Sequence, residues 1–101
     1  GDGGLGQYLS EISTLVKYDM NIKHIVLNNS ELGKISKEQR AAKVDVWHTT
    51  LHNPNFAKYA ENCGALGIRV TKLEELQGAL EKIKSHNGPA LLEVITDVNL
   101  I

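Results

Sequence analysis

Hydrophobic positions along this chain switch between helical and strand periodicity, and each switch marks an element. After a glycine-rich start, Leu9, Ile12 and Val16 recur at i, i+3 and i+7, with Tyr8 and Leu15 alongside, which predicts an amphipathic helix. KHIVLNN then brings a short apolar run, Ile25 to Leu27, stopped by Asn28 and Asn29. Its β-branched residues and abrupt polar end predict a buried strand. The next stretch, SELGKISKEQRAAKVDVWHTTLH, is polar and basic with scattered apolar residues. It predicts a short helix, Lys34 to Ala42 at most, running into a long loop.

Order returns at HNPNFAKYAENCG, where Asn53 can cap a helix opening on Pro54 and Phe56, Ala60 and Cys63 share one face. Gly64 ends that helix, as glycine beyond a helix C-terminus commonly does. GIRV reads as a strand. Thr71 and Glu74 form a T-x-x-E capping box for a helix whose buried stripe is Leu73, Leu76, Leu80 and Ile83. His86-Asn87-Gly88-Pro89 breaks it ahead of ALLEVIT, a strand with apolar residues on both faces.

Helix and strand alternate through the chain, the order of a parallel sheet with helices packed on it. Near-continuous apolar strands fit burial on both sides. The expected fold is therefore α/β, a three-layer parallel sheet with helices on both faces, formed by residues 1–101 as one unit. No internal repeat or low-complexity tract divides it.

Composition narrows the function classes. A chain of 101 residues supports one core, and 42% hydrophobic with 23% charged residues is ordinary for a globular domain. Eleven Lys+Arg against 12 Asp+Glu leave a net charge of −1, which argues against a nucleic-acid or anionic-membrane surface. No apolar run approaches membrane-spanning length. The single cysteine, Cys63, forms no internal disulfide and fits a reducing, cytoplasmic setting. Within AENCGALG it reads as a small buried thiol rather than a nucleophile.

The candidate chemistry lies at the start. GDGGLG satisfies G-x-G-x-x-G, but a dinucleotide site needs a strand before the loop and an acid ending the next strand. That next strand ends in Asn28-Asn29, and Asp19 falls before it. Asp2 is the sharper objection, because a carboxylate beside a diphosphate is repulsive. A divalent cation between acid and phosphate reverses the sign, and Mg²⁺ takes carboxylate and phosphate oxygens together. Asp2 can supply one ligand from the loop. Neighbouring parallel strands open on one crevice, so Asn29 and the Glu31 carbonyl can supply others, with Gly33 letting the chain pass close to a phosphate. A glycine-rich phosphate loop also follows a strand, so the first strand (or strands) of this fold is expected upstream of Gly1 and the segment is expected to be a fragment of a longer chain.

GDG, a helix, an apolar strand and then NN, with Asp2 and Asn29 27 positions apart (29 minus 2), resemble the cofactor-binding domain of thiamine-diphosphate-dependent enzymes. KYDMNIKHIVLNN is similar to the corresponding segment of pyruvate oxidases and acetolactate synthases. NSELGKISKEQ, HNPNFAKYAENCGALGIRV and GPALLEVITD look more like the pyruvate oxidase branch. The resemblance covers nearly the whole chain. It implies Asp2, Asn29 and the Glu31 carbonyl as Mg²⁺ ligands, and backbone amides around Gly3, Gly4, Leu32 and Gly33 as the hold on the diphosphate. It further implies a homo-oligomeric enzyme that decarboxylates a 2-keto acid, pyruvate, oxidatively, with any FAD bound outside this segment. The activating glutamate would lie on another domain, typically of a partner subunit, so no catalytic residue is expected here and the segment alone should be inactive. An acetolactate synthase-type carboligase is the runner-up. A non-catalytic module that oligomerises through an exposed sheet edge is the third reading.

Other polar residues take simpler readings. His48 and His52 are spaced to share a metal on a helix, but their Thr-rich, Pro-flanked setting predicts a loop without a third ligand. His24 and His86 read as structural, and Lys34, Lys37, Arg40 and Lys43 as a solvated basic face.

Overall fold

The computed structural model describes residues 1–100. Its elements are α1 (Asp2–Gly6), α2 (Glu11–Lys17), β1 (Lys23–Asn28), α3 (Gly33–Ala41), α4 (Phe56–Cys63), β2 (Leu66–Val70), α5 (Leu76–Ser85) and β3 (Ala90–Ile95). Short 3-10 turns at Leu73–Glu75 and Val98–Leu100 precede α5 and follow β3. The three strands form one parallel sheet in the order β1-β3-β2, with Ile25 beside Leu92 and Ile68 on its other side.

Helices cover both faces of this sheet. On one face Leu5, Ile12, Phe56 and Ala60 pack against Val26 and Leu91. On the other, Ala79 and Ile83 of α5 pack against Val70, Ala90 and Leu92. β3 is the centre, and its Leu91 and Leu92 point to opposite cores, as alternate residues of a strand must.

Several expectations shift. The glycine-rich start is not an open loop but the first helical turns of α1, whose Leu5 N–H bonds the Gly1 carbonyl at 3.1 Å. The predicted first helix is broken between Gly6 and Glu11, which leaves Tyr8 exposed and Ile12 buried. β1 is buried on one face only: Val26 is enclosed, whereas Ile25 and Leu27 are 51% and 56% exposed. Those two residues share a face with Leu92 and Val94, but α5 packs on β2 and β3, and the edge strand stays largely exposed there.

The helix boundaries move for local reasons. α4 starts at Phe56 with Asn55, not Asn53, as its cap: the Asn55 side chain accepts from Lys58 N. Gly64 ends α4 at φ 97°, the left-handed region expected of it. Ahead of α5, the Thr71 and Lys72 N–H groups both donate to Glu75, so the capping acid is Glu75 rather than Glu74. Leu73 is then left in the 3-10 turn and is 84% exposed, while Ala79 and Ile83 take the centre of the stripe.

The chain measures 48 × 30 × 16 Å with a radius of gyration of 15.1 Å, against about 13 Å for a round domain of this size. α3 accounts for the elongation, since it packs little on the sheet. The loop after α3 returns to its base. Leu32 N–H donates to the Thr49 carbonyl and Leu51 N–H to the Ser30 carbonyl, each at 2.8 Å.

Candidate functional site

Three segments meet at the C-terminal end of β1: the first turn of α1, the Asn28–Asn29 strand end, and the link into α3. They enclose a cavity of about 460 Å³ whose lining includes Asp2, Gly3, Gly4, Asn29, Glu31, Leu32 and Gly33. Thr96 and Asp97, just past the end of β3, line its far side. A crevice outside the carboxyl ends of parallel strands is where such sheets bind ligands.

The two asparagines face different tasks. Asn28, only 3% exposed, turns into the protein, where its Nδ2 donates to Glu93 Oε2 at 2.7 Å. Asn29 lines the cavity, and its Oδ1 accepts from Glu31 N–H at 3.1 Å, closing a tight turn. Glu31 pairs with Thr50 in a single antiparallel bridge. Its neighbours on either side make the bridge's hydrogen bonds, which leaves the Glu31 carbonyl without a backbone donor among the described residues.

Of the four amides assigned to the diphosphate, the Leu32 N–H is already committed to Thr49. Gly3, Gly4 and Gly33 stand in the first turns of α1 and α3, where N–H groups have no intrahelical partner. Of the four, those three glycines keep amides without an intrahelical partner, and Leu32 contributes its apolar side chain to the wall. That side chain packs tightly on Gly3: a Cβ there would lie 2.9 Å from Leu32 Cδ2.

The carboxylates are short of partners among the described residues. Asp2 is 3% exposed, and its one side-chain donor is Asn53 Nδ2, 2.7 Å from Oδ2. Glu31 Oε1 receives only a long bond from the Thr49 hydroxyl at 3.4 Å, and its Oε2 is buried with no hydrogen-bond partner. Buried carboxylate oxygens are costly unless a donor or cation meets them. Hard anionic oxygens beside a neutral amide and a free carbonyl are the donor set that Mg²⁺ favours when phosphate completes its shell. The residues present fit such an ion. Among the described residues, no three His, Cys, Asp or Glu side chains gather as a metal site by themselves.

Sequence reasoning passed over two participants. Asn53, assigned to a helix cap, instead gives its Nδ2 hydrogens to Asp2 Oδ2 and to Asn28 Oδ1, the latter at 3.0 Å. Glu93, read as part of an apolar strand, is fully buried in β3. It accepts from Asn28 and from Ala57 N–H at 3.2 Å, with Arg69 Nε at 3.8 Å. The available signal was a lone acid inside a strand otherwise apolar on both faces, because charged residues are almost never fully buried without partners.

Lys34 also lines the crevice, whereas the histidines and Cys63 are not among its lining residues. His48 and His52 lie in the loop between α3 and α4, with the His48 ring set edge-on to Trp47. Cys63 is half-buried at the end of α4. Desolvation, and then the Cys63 thiol, push the Tyr59 phenol above its ordinary range.

Residues 1–94 match the family model of the thiamine pyrophosphate enzyme C-terminal TPP binding domain. The chain belongs to that family. It is 39% identical over 95 residues to YdaP, a Bacillus subtilis protein described as thiamine pyrophosphate-containing. It is also 39% identical over 98 residues to the mitochondrial acetolactate synthase catalytic subunit of Saccharomyces cerevisiae. These matches take in 94% and 96% of the chain but 17% and 14% of the two relatives. The fold matches the thiamine diphosphate-dependent 4-hydroxybenzoylformate decarboxylase of Rhodococcus jostii RHA1 with a TM-score of 0.87. That match covers 96% of this chain and 19% of the decarboxylase, at 22% identity.

Proposed function

We propose that this TPP-binding domain holds the diphosphate of thiamine diphosphate through Mg²⁺, as part of an acetolactate synthase-type enzyme acting on 2-keto acids. The carrying observation is the crevice itself, where the nearly buried Asp2 lines one cavity with Asn29, Glu31 and the first-turn glycines Gly3, Gly4 and Gly33. Asp2 would ligate the ion through the oxygen not bonded to Asn53. Asn29 Oδ1 and the Glu31 carbonyl would add neutral ligands, and the three glycine amides would receive diphosphate oxygens. Leu32 would exclude water from one wall. When bound, thiamine diphosphate supplies a carbanion-stabilising centre for decarboxylation of the 2-keto acid. This chain's residues anchor the cofactor's tail and present its ring to groups from elsewhere in the protein.

Acetolactate synthase is the name carried by several relatives at 32–39% identity, which favours the carboligase over the pyruvate oxidase-type reading. Calorimetry on the whole protein tests the site. Thiamine diphosphate should bind only with Mg²⁺, and Asp2→Ala should weaken it about ten- to a hundredfold, the worth of one charge-assisted contact. Equal binding with and without Mg²⁺ would contradict the ligand assignment. Product analysis tests the reaction: pyruvate should give acetolactate and CO₂ without an electron acceptor. Acetate formed only with an acceptor would restore the oxidase.

A further inference from the structure

A directed line of hydrogen bonds runs inward from the crevice, and its order is dictated by the group at its buried end. Glu93 is fully enclosed at the centre of the sheet. Its partners are the Asn28 amide, the Ala57 N–H in the first turn of α4, and Arg69 of β2. A carboxylate of this kind is an acceptor only. Asn28 must therefore turn its NH₂ toward Glu93 and its carbonyl oxygen away. That oxygen accepts from Ser30 N–H and from Asn53 Nδ2, both at 3.0 Å. Asn53 must in turn present its NH₂, and the second hydrogen of that group goes to Asp2 Oδ2.

We infer that Glu93 is a positioning residue for cation binding, setting through Asn28 and Asn53 which oxygen of Asp2 is left for the ion. This rests on the proposal that Asp2 ligates a divalent cation. The line works as a polarity relay in which each amide has one permitted orientation. With Glu93→Gln, the new carbonyl oxygen can serve only one of Ala57 N–H and Asn28 Nδ2, and the new NH₂ confronts the other donor. Asn28 then reverses to offer its oxygen, Asn53 reverses with it, and a carbonyl oxygen faces the Asp2 carboxylate. Asp2 must rotate away from that repulsion. A positioning role of this kind is common around metal sites, where the partners of the ligands govern affinity.

The order of donors also prescribes a rescue. When Glu93→Gln is combined with Asn28→Asp, the amide introduced into β3 accepts from Ala57 N–H and donates to the new carboxylate, which again accepts from Asn53. Charge is unchanged and the relay is restored.

The test measures Mn²⁺ affinity by electron paramagnetic resonance in the whole protein at saturating thiamine diphosphate. Glu93→Gln and Asn53→Ala should each weaken Mn²⁺ about tenfold or more. The Glu93→Gln/Asn28→Asp protein should return to within about threefold of wild type, as coupled partners do when their roles are exchanged. A purely structural Glu93 would not be rescued in this way. A folded double variant as weak as Glu93→Gln overturns the inference. So does an Asn53→Ala protein with wild-type affinity, a readout that holds even if Glu93→Gln fails to fold. Asp2→Ala separates the two levels. If it abolishes Mn²⁺ binding while Asn53→Ala and Glu93→Gln leave it intact, only the relay falls. If the wild-type protein binds no Mn²⁺, the cation reading falls and the relay with it.

Discussion

That Asp2, Asn29 and Gly33 line one crevice was legible because their residue types are unusual for the positions they hold. An acid in a phosphate-type turn demands a cation, and an asparagine ending an apolar strand is a ready oxygen ligand. Asn28, Asn53 and Glu93 were not legible, since each has a plausible local reading as a turn former, a cap or a strand residue. Their roles come from contacts across 25 to 65 positions of sequence. Gly67 belongs with them. A Cβ at this position would lie 2.0 Å from the Ala57 carbonyl oxygen, so only glycine lets β2 approach the first turn of α4, which also brings Ala57 N–H to Glu93. Gly67→Ala should destabilise the protein by about 3 kcal/mol, the upper end of ordinary overpacking costs, because the obstacle is backbone. A lower urea midpoint at unchanged slope would show it, and an unchanged midpoint would mean that α4 shifts freely.

At the scale of elements, periodicity located each strand and most helices, and errors gathered at the ends. The α4 boundary is a case in which two asparagines, Asn53 and Asn55, were both eligible. Asn55 wins because its Oδ1 reaches Lys58 N–H, three residues on, while Asn53 is drawn to the Asp2 carboxylate. Asn55→Ala should cost about 1 kcal/mol of helix stability and speed amide exchange through α4 about fivefold. Asn53→Ala should leave those amides protected, and the reverse pattern would return the cap to Asn53. The α5 start follows the same logic. Glu75 takes the Thr71 and Lys72 amides, so the helix begins later than the T-x-x-E spacing places it.

At the scale of the whole molecule, three strands and their helices make a complete crevice floor but leave Ile25 and Leu27 exposed on the edge strand. The chain spans 14% to 17% of the relatives named here. The family resemblance implies that the activating acid comes from another domain. Residues 1–101 alone, given Mg²⁺, thiamine diphosphate and pyruvate, should consume no substrate. Measurable decarboxylation by that polypeptide would show that the crevice suffices. The sequence by itself determined the α/β class, the cofactor family and which residues line the crevice, because these follow from periodicity along the chain and from residues close to their own strand ends. Only the tertiary structure decided that β1 is a half-bare edge, that the Leu32 amide is committed, and that a buried acid in β3 is connected to Asp2. Those facts depend on which segments are brought together, and burial makes the resulting donor and acceptor pairings obligatory.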